Sequence, residues 1–423
     1  MIGKILNKLN FPRDSASWKT FGVIFSLQAA HELPNALTST MAPTLFVKQY
    51  DMPLGMIGLF FLPFVVTALK WTWAPLVDNR GSVEFGRRKS WIAPLTILVA
   101  LSYFSIALIK PGLDTLTLIV GFLIVKQVFY STQEIAADAY VVENLKAEQR
   151  GLGSSIVWMG KEAGQIIGFA GLLFVADRFG WTPAFFLAGI LFIAFNIPAI
   201  LRKERPVIEP KPSSRAGLRD FFKRKVNYRI VAIVFAISFT VQMPVTVIGP
   251  FLNSKGLSLS QIGVSLGVAA SIGALISLSI ASVVISKFGP KRTAIFLMFV
   301  APLAAPAFIW LAMQETVSTQ MVILILLWAT LCTAPIRMAV YAARIGWTSE
   351  DQVGTDITIQ QSTWFLGYAA AGAVAGLVAE QMGWVFFFVV NVLLIAAALL
   401  FFIHSHDQVE EDIKAWRKNH AAP

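Results

Sequence analysis

Cysteine and histidine are both scarce in this 423-residue sequence, and each scarcity excludes a kind of site. The one cysteine, Cys332, lies in an apolar run, so an intramolecular disulfide and a cysteine-based metal site are excluded. Three of the four histidines, His404, His406 and His420, fall near the end of the chain as an incidental cluster. We therefore expect no metal site and no bound cofactor.

Two sequence signatures are also absent. No G-x-x-x-x-G-K-[ST] phosphate loop occurs, so ATP-driven pumping is not encoded here. A membrane enzyme would need a nucleophile beside a base, or a metal cluster, and the sequence offers neither, so we expect no enzyme. Residues 1–17 are polar and basic, and the apolar segment after them lacks an A-x-A-like cleavage site. We expect no removable signal peptide.

Charge is scarce as well, at 14% of residues, whereas hydrophobic residues make up 56% and the mean hydropathy is +0.67. Globular proteins are about 25% charged and about 45–50% apolar. Runs of about 20 apolar residues, the length that crosses a bilayer, can be placed at twelve positions. These are 18–47, 53–77, 91–109, 115–143, 152–176, 182–201, 228–252, 259–286, 293–313, 319–343, 355–380 and 383–403. The sequence predicts an all-α membrane protein with twelve transmembrane helices.

The excess of basic residues, 35 Lys and Arg against 24 Asp and Glu, indicates how the chain is oriented in the membrane. With the N-terminus in the cytoplasm, the outward loops contain only Lys48, Lys110, Arg178 and Lys255, and most other basic residues face inward. This asymmetry is the positive-inside rule. We therefore expect both termini in the cytoplasm and attraction to the lipid bilayer, with no need for nucleic acid as a partner.

The sequence repeats itself at an offset of 203 residues. AEQRG at 147–151 matches EDQVG at 350–354, DRFGW at 177–181 matches EQMGW at 380–384, and Gly86 matches Gly289. Six helices in each half make the repeats parallel, as in a two-bundle carrier. We predict an N-terminal six-helix bundle at 1–201, a basic cytoplasmic linker at 202–227, a C-terminal bundle at 228–404 and a cytoplasmic tail at 405–423.

The fourth predicted helix has a polar stripe. Gln133, Lys126, Tyr130, Glu134 and Asp138 fall on one arc of about 140° at 100° per residue, opposite a Leu and Ile face. A charge at the centre of a spanning helix costs about 2.5–3.5 kcal/mol. The stripe is either a dry structural ion pair or the wall of a water-filled solute path, and the other helices favour the path.

Charged residues in other predicted helices extend this set. They are Glu32, Lys70, Lys161, Glu162 and Arg337, with His31 as a titratable neighbour. We predict that His31, Glu32, Glu134 and Asp138 carry protons, because buried carboxylates and histidines titrate near neutral pH. A structural pair or a substrate contact is the alternative for Glu32, and a hydrogen-bonded core residue is the alternative for His31.

A second group of residues is predicted to contact the solute: Lys70, Lys126, Tyr130, Trp158, Lys161, Arg337, Gln361, Trp364 and Tyr368. An aromatic and amide wall opposite a charged wall suits a planar, polar ligand, although aromatic residues also serve as packing or interfacial anchors. The repeat maps Glu134 onto Arg337. Arg337 cannot lose its proton, so it either pairs with Glu134 or Asp138, or it binds an anionic substrate.

The loop after the second helix, with Asp78, Arg80, Gly86, Arg87 and Arg88, resembles the helix 2–3 signature of the major facilitator superfamily. A degenerate copy stands at Lys287, Gly289, Lys291 and Arg292. An acidic residue held by arginines forms a breakable latch, so we predict that this loop gates a conformational change. A basic loop that only sets topology is the alternative.

Four further segments resemble the AmpG-type permease branch of that superfamily: ELPNALTST at 32–40, ALKWTWAPLVD at 68–78, STQEIAADAY at 131–140 and QRGLGSS at 149–155. The spacing of GSVEFGRRKSW after Asp78 and the count of twelve helices most resemble RhtX/FptX-type siderophore importers. Muropeptide permeases of the branch usually have additional C-terminal helices.

The resemblance implies a monomeric transporter of the bacterial inner membrane, with a small solute and protons as its partners. It implies a proton-coupled symporter that imports a siderophore or a ferric siderophore by alternating access. A muropeptide permease, or a permease for another anionic or zwitterionic solute, is the alternative. A membrane receptor that does not transport is the alternative of another class.

Overall fold

The computed structural model describes residues 15–33, 35–82, 84–145, 150–203, 218–348 and 353–420. These ranges are mostly helical and contain no strand, as the composition predicts. Twelve long helices are numbered in chain order: α1 (15–32 and 35–49), α2 (54–79), α3 (Lys89–Leu108), α4 (Leu116–Asn144), α5 (150–179), α6 (Trp181–Leu201), α7 (Val226–Ser254), α8 (259–288), α9 (290–313), α10 (Thr319–Gly346), α11 (353–382) and α12 (384–420). A short helix, Leu218–Lys223, precedes α7.

Within these ranges, nine helical stretches are long and apolar enough to cross a membrane. One of the nine, Thr355–Trp416, contains most of α11 and α12, which are separated only by the non-helical residue Gly383. Three helices contain short π-helical turns, at Leu37–Met41 in α1, Ile167–Leu172 in α5 and Ser265–Ala270 in α8.

Four glycines show that the repeat extends to the backbone. Gly86 and Gly289, which lie 203 residues apart, have φ values of 112° and 79°. Gly180 and Gly383 are separated by the same offset and have φ values of 85° and 76°. Residues other than glycine rarely adopt these values, because a Cβ atom clashes there. The two halves therefore turn in the same way at equivalent positions. The third repeated landmark, 147–151 with 350–354, lies partly outside the described residues.

The chain divides into two compact units. The first consists of Met1–Ala42 and Thr72–Pro210, and the second of Pro43–Trp71 and Lys211–Pro423. The end of α1 and most of α2, residues 43–71, thus belong to the second unit, and we call them the α1–α2 hairpin. The chain passes from one unit to the other at three points, of which the third, between 210 and 211, lies outside the described residues. The other two lie beside non-α turns, the π turn Leu37–Met41 and the 3-10 turn Lys70–Thr72. Such turns inside helices often mark hinges.

In the first unit, α1 and α5 cross with their backbones in contact. Gly160, Gly164 and Gly168 follow one another at every fourth position of α5. A Cβ atom on any of them would overlap a carbonyl oxygen of α1, belonging to Phe25, Ala29 and Leu33 respectively. Small residues at this spacing allow close packing of membrane helices, where the hydrophobic effect supplies no attraction between them.

In the second unit, the hairpin packs against α11 in a similar way. A Cβ atom on Gly58 would lie 2.7 Å from Ala373 Cα, and one on Gly376 would overlap the Leu54 carbonyl oxygen. The Glu380 carboxylate accepts a hydrogen bond of 2.5 Å from the backbone N–H of Gly55, at the start of α2. Glycines and one carboxylate therefore bring α2 and α11 together.

The remaining core of the second unit is apolar. It contains buried residues of α7, α9, α10 and α12, among them Ile233, Ile336 and Phe402. It also includes Val409 and Ile413, because α12 continues as a helix through the residues that we expected to form a tail. We call residues 405–420 the α12 extension.

Candidate functional site

The polar stripe of α4 lies in the first unit, and its side chains differ in exposure. Lys126, Tyr130, Glu134 and Asp138 follow one another every four residues, so the stripe is about 18 Å long at 1.5 Å per residue. Lys126 is 3% exposed and Tyr130 7%, whereas Glu134 is half-buried and Asp138 is exposed. The stripe thus leads from an accessible carboxylate to a buried amine.

Neutral groups surround the Lys126 ammonium. Its Nζ donates a hydrogen bond of 2.7 Å to Gln127 Oε1 and lies 5.6 Å and 5.3 Å from the ring centroids of Tyr103 and Tyr130. Among the described residues, no carboxylate lies within ion-pair distance of Lys126. The dry ion pair that was one of the two interpretations of the stripe is therefore not formed by Lys126 in this structure. Tyr103, from α3, was not among the predicted site residues, and its buried hydroxyl has no hydrogen-bond partner in the described part of the chain.

Gln133 joins four helices of the first unit. Its Oε1 is 2.6 Å from His31 Nε2 of α1, and its amide nitrogen donates to Asn196 Oδ1 of α6 at 2.7 Å and to Thr96 Oγ1 of α3 at 3.4 Å. His31 is thus a hydrogen-bonded core residue here, which is the alternative considered for it.

The predicted proton carriers gather around Tyr130. The Tyr130 hydroxyl donates a 2.7 Å hydrogen bond to the backbone carbonyl of His31. Glu32, Glu134 and Asp138 all act on that hydroxyl electrostatically, and Glu32 Oε2 also accepts from Asn35 Nδ2 at 2.9 Å. The structure therefore brings His31, Glu32 and Glu134 close to Tyr130, where α1 and α4 meet, and Asp138 lies about two turns further along α4.

Two predicted solute contacts lie together on α5. Lys161 Nζ is 5.7 Å from the ring centroid of Trp158, whose side chain is 52% exposed. Both residues precede the π turn Ile167–Leu172 in the same helix. A cation beside an exposed indole provides a surface that is both charged and aromatic.

Lys70 and Tyr368 both belong to an aromatic cluster of the second unit, where the hairpin packs on α11. Lys70 is 8% exposed, and its Nζ lies 5.9 Å from the ring centroid of Phe365. Tyr368 packs on Phe64 at 4.7 Å and on Phe61 at 5.3 Å between ring centroids. The two predicted contacts are therefore part of the packing that holds the hairpin on α11.

The other predicted contacts of the second unit have partners within it. Gln361 Oε1 accepts from Arg344 Nη2 at 3.3 Å, and Arg344, which the prediction missed, is 4% exposed. Trp364 packs against the apolar core, and its backbone carbonyl accepts from Ser238 Oγ at 2.6 Å. The side chain of Arg337 lies outside the described residues, so its pairing with Glu134 or Asp138 stays a prediction.

The predicted gating loop forms an ion-pair network. Arg88 contacts Asp78 at 2.9 Å and Glu143 at 2.7 Å, and Arg87 contacts Glu143 at 3.1 Å. Burial by itself lowers the pKa of Arg88, but the hydrogen bonds and charges of Glu143 and Asp78 raise it above the ordinary value. The Arg80 carbonyl accepts from Trp91 Nε1, and Gly86 supplies the left-handed turn. Glu143, at the end of α4, completes a network that the sequence showed only in part.

The degenerate copy of this loop pairs with the α12 extension. Lys291, which the repeat maps onto Arg88, forms an ion pair with Asp407. Nearby, Arg229 of α7 contacts Asp412 at 2.9 Å, and Arg224 lies 5.2 Å from the ring centroid of Trp416. Basic side chains from three segments thus contact one helix.

Comparison with known proteins gives a family and several relatives. Residues 24–342 match the family model described as Major Facilitator Superfamily. The chain is 26% identical over 382 residues to the anhydromuropeptide permease of Escherichia coli (strain K12), covering 88% of this chain and 76% of that protein. It is 24% identical over 418 residues to the putative transporter AmpG 4 of Rickettsia conorii, covering 91% of this chain and 96% of the relative.

Two solved structures show the same fold. A bacterial homologue of the human lysosomal transporter Spinster, in an inward-facing and occupied conformation, superposes with a TM-score of 0.68 at 14% identity, covering 98% of this chain and all of the other. A point mutant of the nucleoside transporter NupG gives a TM-score of 0.71 at 13% identity, with 91% of this chain and 98% of the other covered. Together with the family match, they confirm the prediction of an all-helical major facilitator fold.

Proposed function

Because the chain belongs to the major facilitator superfamily and is therefore a multi-pass membrane transporter of small solutes, we propose that it carries anhydromuropeptides across a bacterial inner membrane. The observation that supports this substrate is the relationship to the E. coli anhydromuropeptide permease, which extends over 88% of the chain. It favours the muropeptide alternative that we weighed on the sequence. Import of a siderophore receives no support from these relatives.

The side chains of the site suit such a solute. A muropeptide joins sugar rings to a short peptide with free carboxylates. We propose that Lys161 and Arg337 bind its carboxylates, because ammonium and guanidinium groups form charge-assisted hydrogen bonds with them. Trp158 would pack against a sugar face with its exposed indole. Gln361 supplies an amide for the peptide backbone.

The carrier works as a monomer with both termini in the cytoplasm, and it is driven by protons in this proposal. The carboxylates Glu32, Glu134 and Asp138 around Tyr130 support proton coupling. Intramembrane ionisable groups that face one another are costly and typically mark ion pathways. The hairpin on α11 and the network of Arg88 supply contacts that can break and re-form as access alternates.

Uptake by proteoliposomes tests this function. Purified full-length chain is reconstituted, an inward proton gradient is imposed, and a radiolabelled anhydromuropeptide is supplied with and without a protonophore. We expect accumulation that the protonophore abolishes and that Glu134→Gln reduces, whereas Lys110→Met, at an exposed loop lysine, transports like the wild type.

Three outcomes would contradict parts of the proposal. Uptake of a ferric siderophore in place of the muropeptide would overturn the substrate. Saturable binding without accumulation would make the chain a receptor. Accumulation that resists the protonophore would overturn proton coupling.

A further inference from the structure

We propose that Lys126 is the proton-binding site of this carrier, at the buried end of the α4 stripe, and that its amine is protonated in one state of the transport cycle and neutral in another. The inference rests on the proposed function, in that it assumes proton-driven transport. It differs from the sequence prediction, which gave proton binding to the carboxylates and His31, and solute binding to Lys126.

The partners of Lys126 permit both protonation states. Gln127 Oε1, which accepts at 2.7 Å, can accept an N–H from either an ammonium or a neutral amine. The rings of Tyr103 and Tyr130 stabilise a cation over their faces but do not require one. A carboxylate at the same distance would hold the lysine in its charged form. The neutral surroundings are therefore what distinguishes this site.

Burial allows the Lys126 amine to lose its proton as well as to bind one. Lys126 is 3% exposed in the middle of a spanning helix, where an ammonium without a counter-charge is unfavourable. The chemical step is simple: the Nζ lone pair takes a proton from the adjoining path and becomes an ammonium, and the reverse step returns the proton. No other bond changes.

The path to Lys126 is the stripe itself. Exposure rises from Lys126 through Tyr130 and half-buried Glu134 to exposed Asp138, so the carboxylates are more accessible than the amine. The titratable groups around this region are Tyr103 of α3, Tyr130, Glu134 and Asp138 of α4, and His31 and Glu32 of α1. A proton that enters at Asp138 can therefore approach Lys126 past groups that stabilise positive charge.

Two transport assays, counterflow and accumulation, distinguish a variant that has lost proton binding from one that has lost solute binding. Counterflow exchanges labelled for unlabelled anhydromuropeptide without net proton movement, whereas accumulation requires coupling. An imposed gradient of about one pH unit supports about tenfold accumulation at one proton per solute. We expect Lys126→Met to keep counterflow and to lose the accumulation, and Lys126→Arg to lose it too, because arginine keeps its proton. Lys110→Met is the matched control.

Three results would overturn the inference. If Lys126→Met accumulates the solute like the wild type, the amine does not carry the coupled proton. If Lys126→Arg restores accumulation, a fixed positive charge suffices. Loss of both counterflow and accumulation in Lys126→Met, with an unchanged thermal unfolding midpoint, would assign Lys126 to solute binding and would also overturn it.

A second measurement needs no solute and so remains decisive if the muropeptide proposal fails. Protons bound by the purified protein are counted with a pH indicator between about pH 9 and about pH 6, where an exposed lysine of pKa near 10.4 stays charged. We expect Lys126→Met to bind about one proton fewer than the wild type, and Lys110→Met to bind the same number. Equal counts for all three proteins would refute the site.

Discussion

The two halves of this chain turn alike but are filled differently. Gly86 and Gly180 have counterparts with the same left-handed backbone in Gly289 and Gly383. The side chains between these turns differ. At the repeat offset, Ile336 corresponds to Gln133 of the first half, and Ala329 corresponds to Lys126. Ile336 is fully buried in the apolar core of the second unit. A shared backbone therefore carries a polar network in α4 and an apolar one in α10.

The loop ion pairs of the two halves also differ, both in burial and in the helices that supply the acidic residues. Arg88 is 4% exposed in its side chain and takes its acids from α2 and α4. Its counterpart Lys291 is 35% exposed, and its acid, Asp407, belongs to the α12 extension. The repeat offers Ala281 and Gly346 at the positions of Asp78 and Glu143, so the second half lacks the acids that its own helices would supply. Asp78 and Glu143 are therefore the acidic partners that set the loop of the first half apart.

The largest expected effect comes from the helix crossings. A Cβ atom on Gly164 would overlap the Ala29 carbonyl, whereas one on Gly367, in α11, would lie 2.8 Å from Ser238 Cβ. Overpacking costs about 1–3 kcal/mol, so Gly164→Ala should lose about 3 kcal/mol of stability and Gly367→Ala about 1 kcal/mol. Thermal unfolding in detergent measures both. Gly121→Ala, where nothing lies within 4 Å, is the control. Equal losses in Gly164→Ala and Gly121→Ala would contradict the crossing.

The second-largest expected effect on stability concerns the side-chain amide of Gln133 in α4. Gln133→Ile gives the first half the residue of the second, and it leaves His31 Nε2 and Asn196 Oδ1 without their partner. A buried unsatisfied polar group costs about 1–3 kcal/mol, so we expect a loss of about 2 kcal/mol. The converse change, Ile336→Gln, should also destabilise, because it buries an amide among apolar side chains, whereas Ile336→Leu should cost less than about 1.5 kcal/mol. If Gln133→Ile unfolds at the wild-type temperature, the network does not stabilise the first unit.

The smallest expected effects separate the two loops. Arg88→Ala removes a largely buried guanidinium from Glu143 and Asp78, which are themselves partly exposed, so we expect a loss of about 1 kcal/mol and slower uptake. Lys291→Ala breaks an exposed pair and should change stability by less than about 0.5 kcal/mol. The thermal midpoint and the initial uptake rate are measured for each variant. If Lys291→Ala has as large an effect as Arg88→Ala, then Asp407 of the α12 extension is as important to the second half as Asp78 and Glu143 are to the first.

Much of the fold could be predicted because hydrophobic length and repeats are local signals. The predicted spans 115–143 and 182–201 agree with Leu116–Asn144 and Trp181–Leu201 to within a residue. The repeated glycines were visible as sequence landmarks. The sequence also marked Asp78, Arg87 and Arg88 as neighbours, because short loops keep such residues close together.

The rest depends on contacts between residues far apart in the chain. Glu143 joins Arg88 across 55 residues, and Gln133 meets His31 across 102, which no local pattern encodes. The assignment of the α1–α2 hairpin to the second unit was equally hidden, because it depends on glycines of α11 that face α2. The sequence placed Gln133 on the polar stripe but did not indicate its partners, and nothing in it marked Tyr103 of α3 as a neighbour of Lys126.

Cross-linking the hairpin to α11 tests the carrier account most directly. A Cβ atom on Gly55 would lie 3.5 Å from Leu377 Cγ, so cysteines at 55 and 377 can be joined once the Leu377 side chain is removed. The buried Cys332 is replaced by alanine, which leaves no other thiol. We predict that oxidation of the Gly55→Cys/Leu377→Cys protein stops uptake, that reduction restores it, and that each single cysteine variant is insensitive to oxidant. Full uptake by the cross-linked protein would contradict the claim that this contact opens and closes during transport.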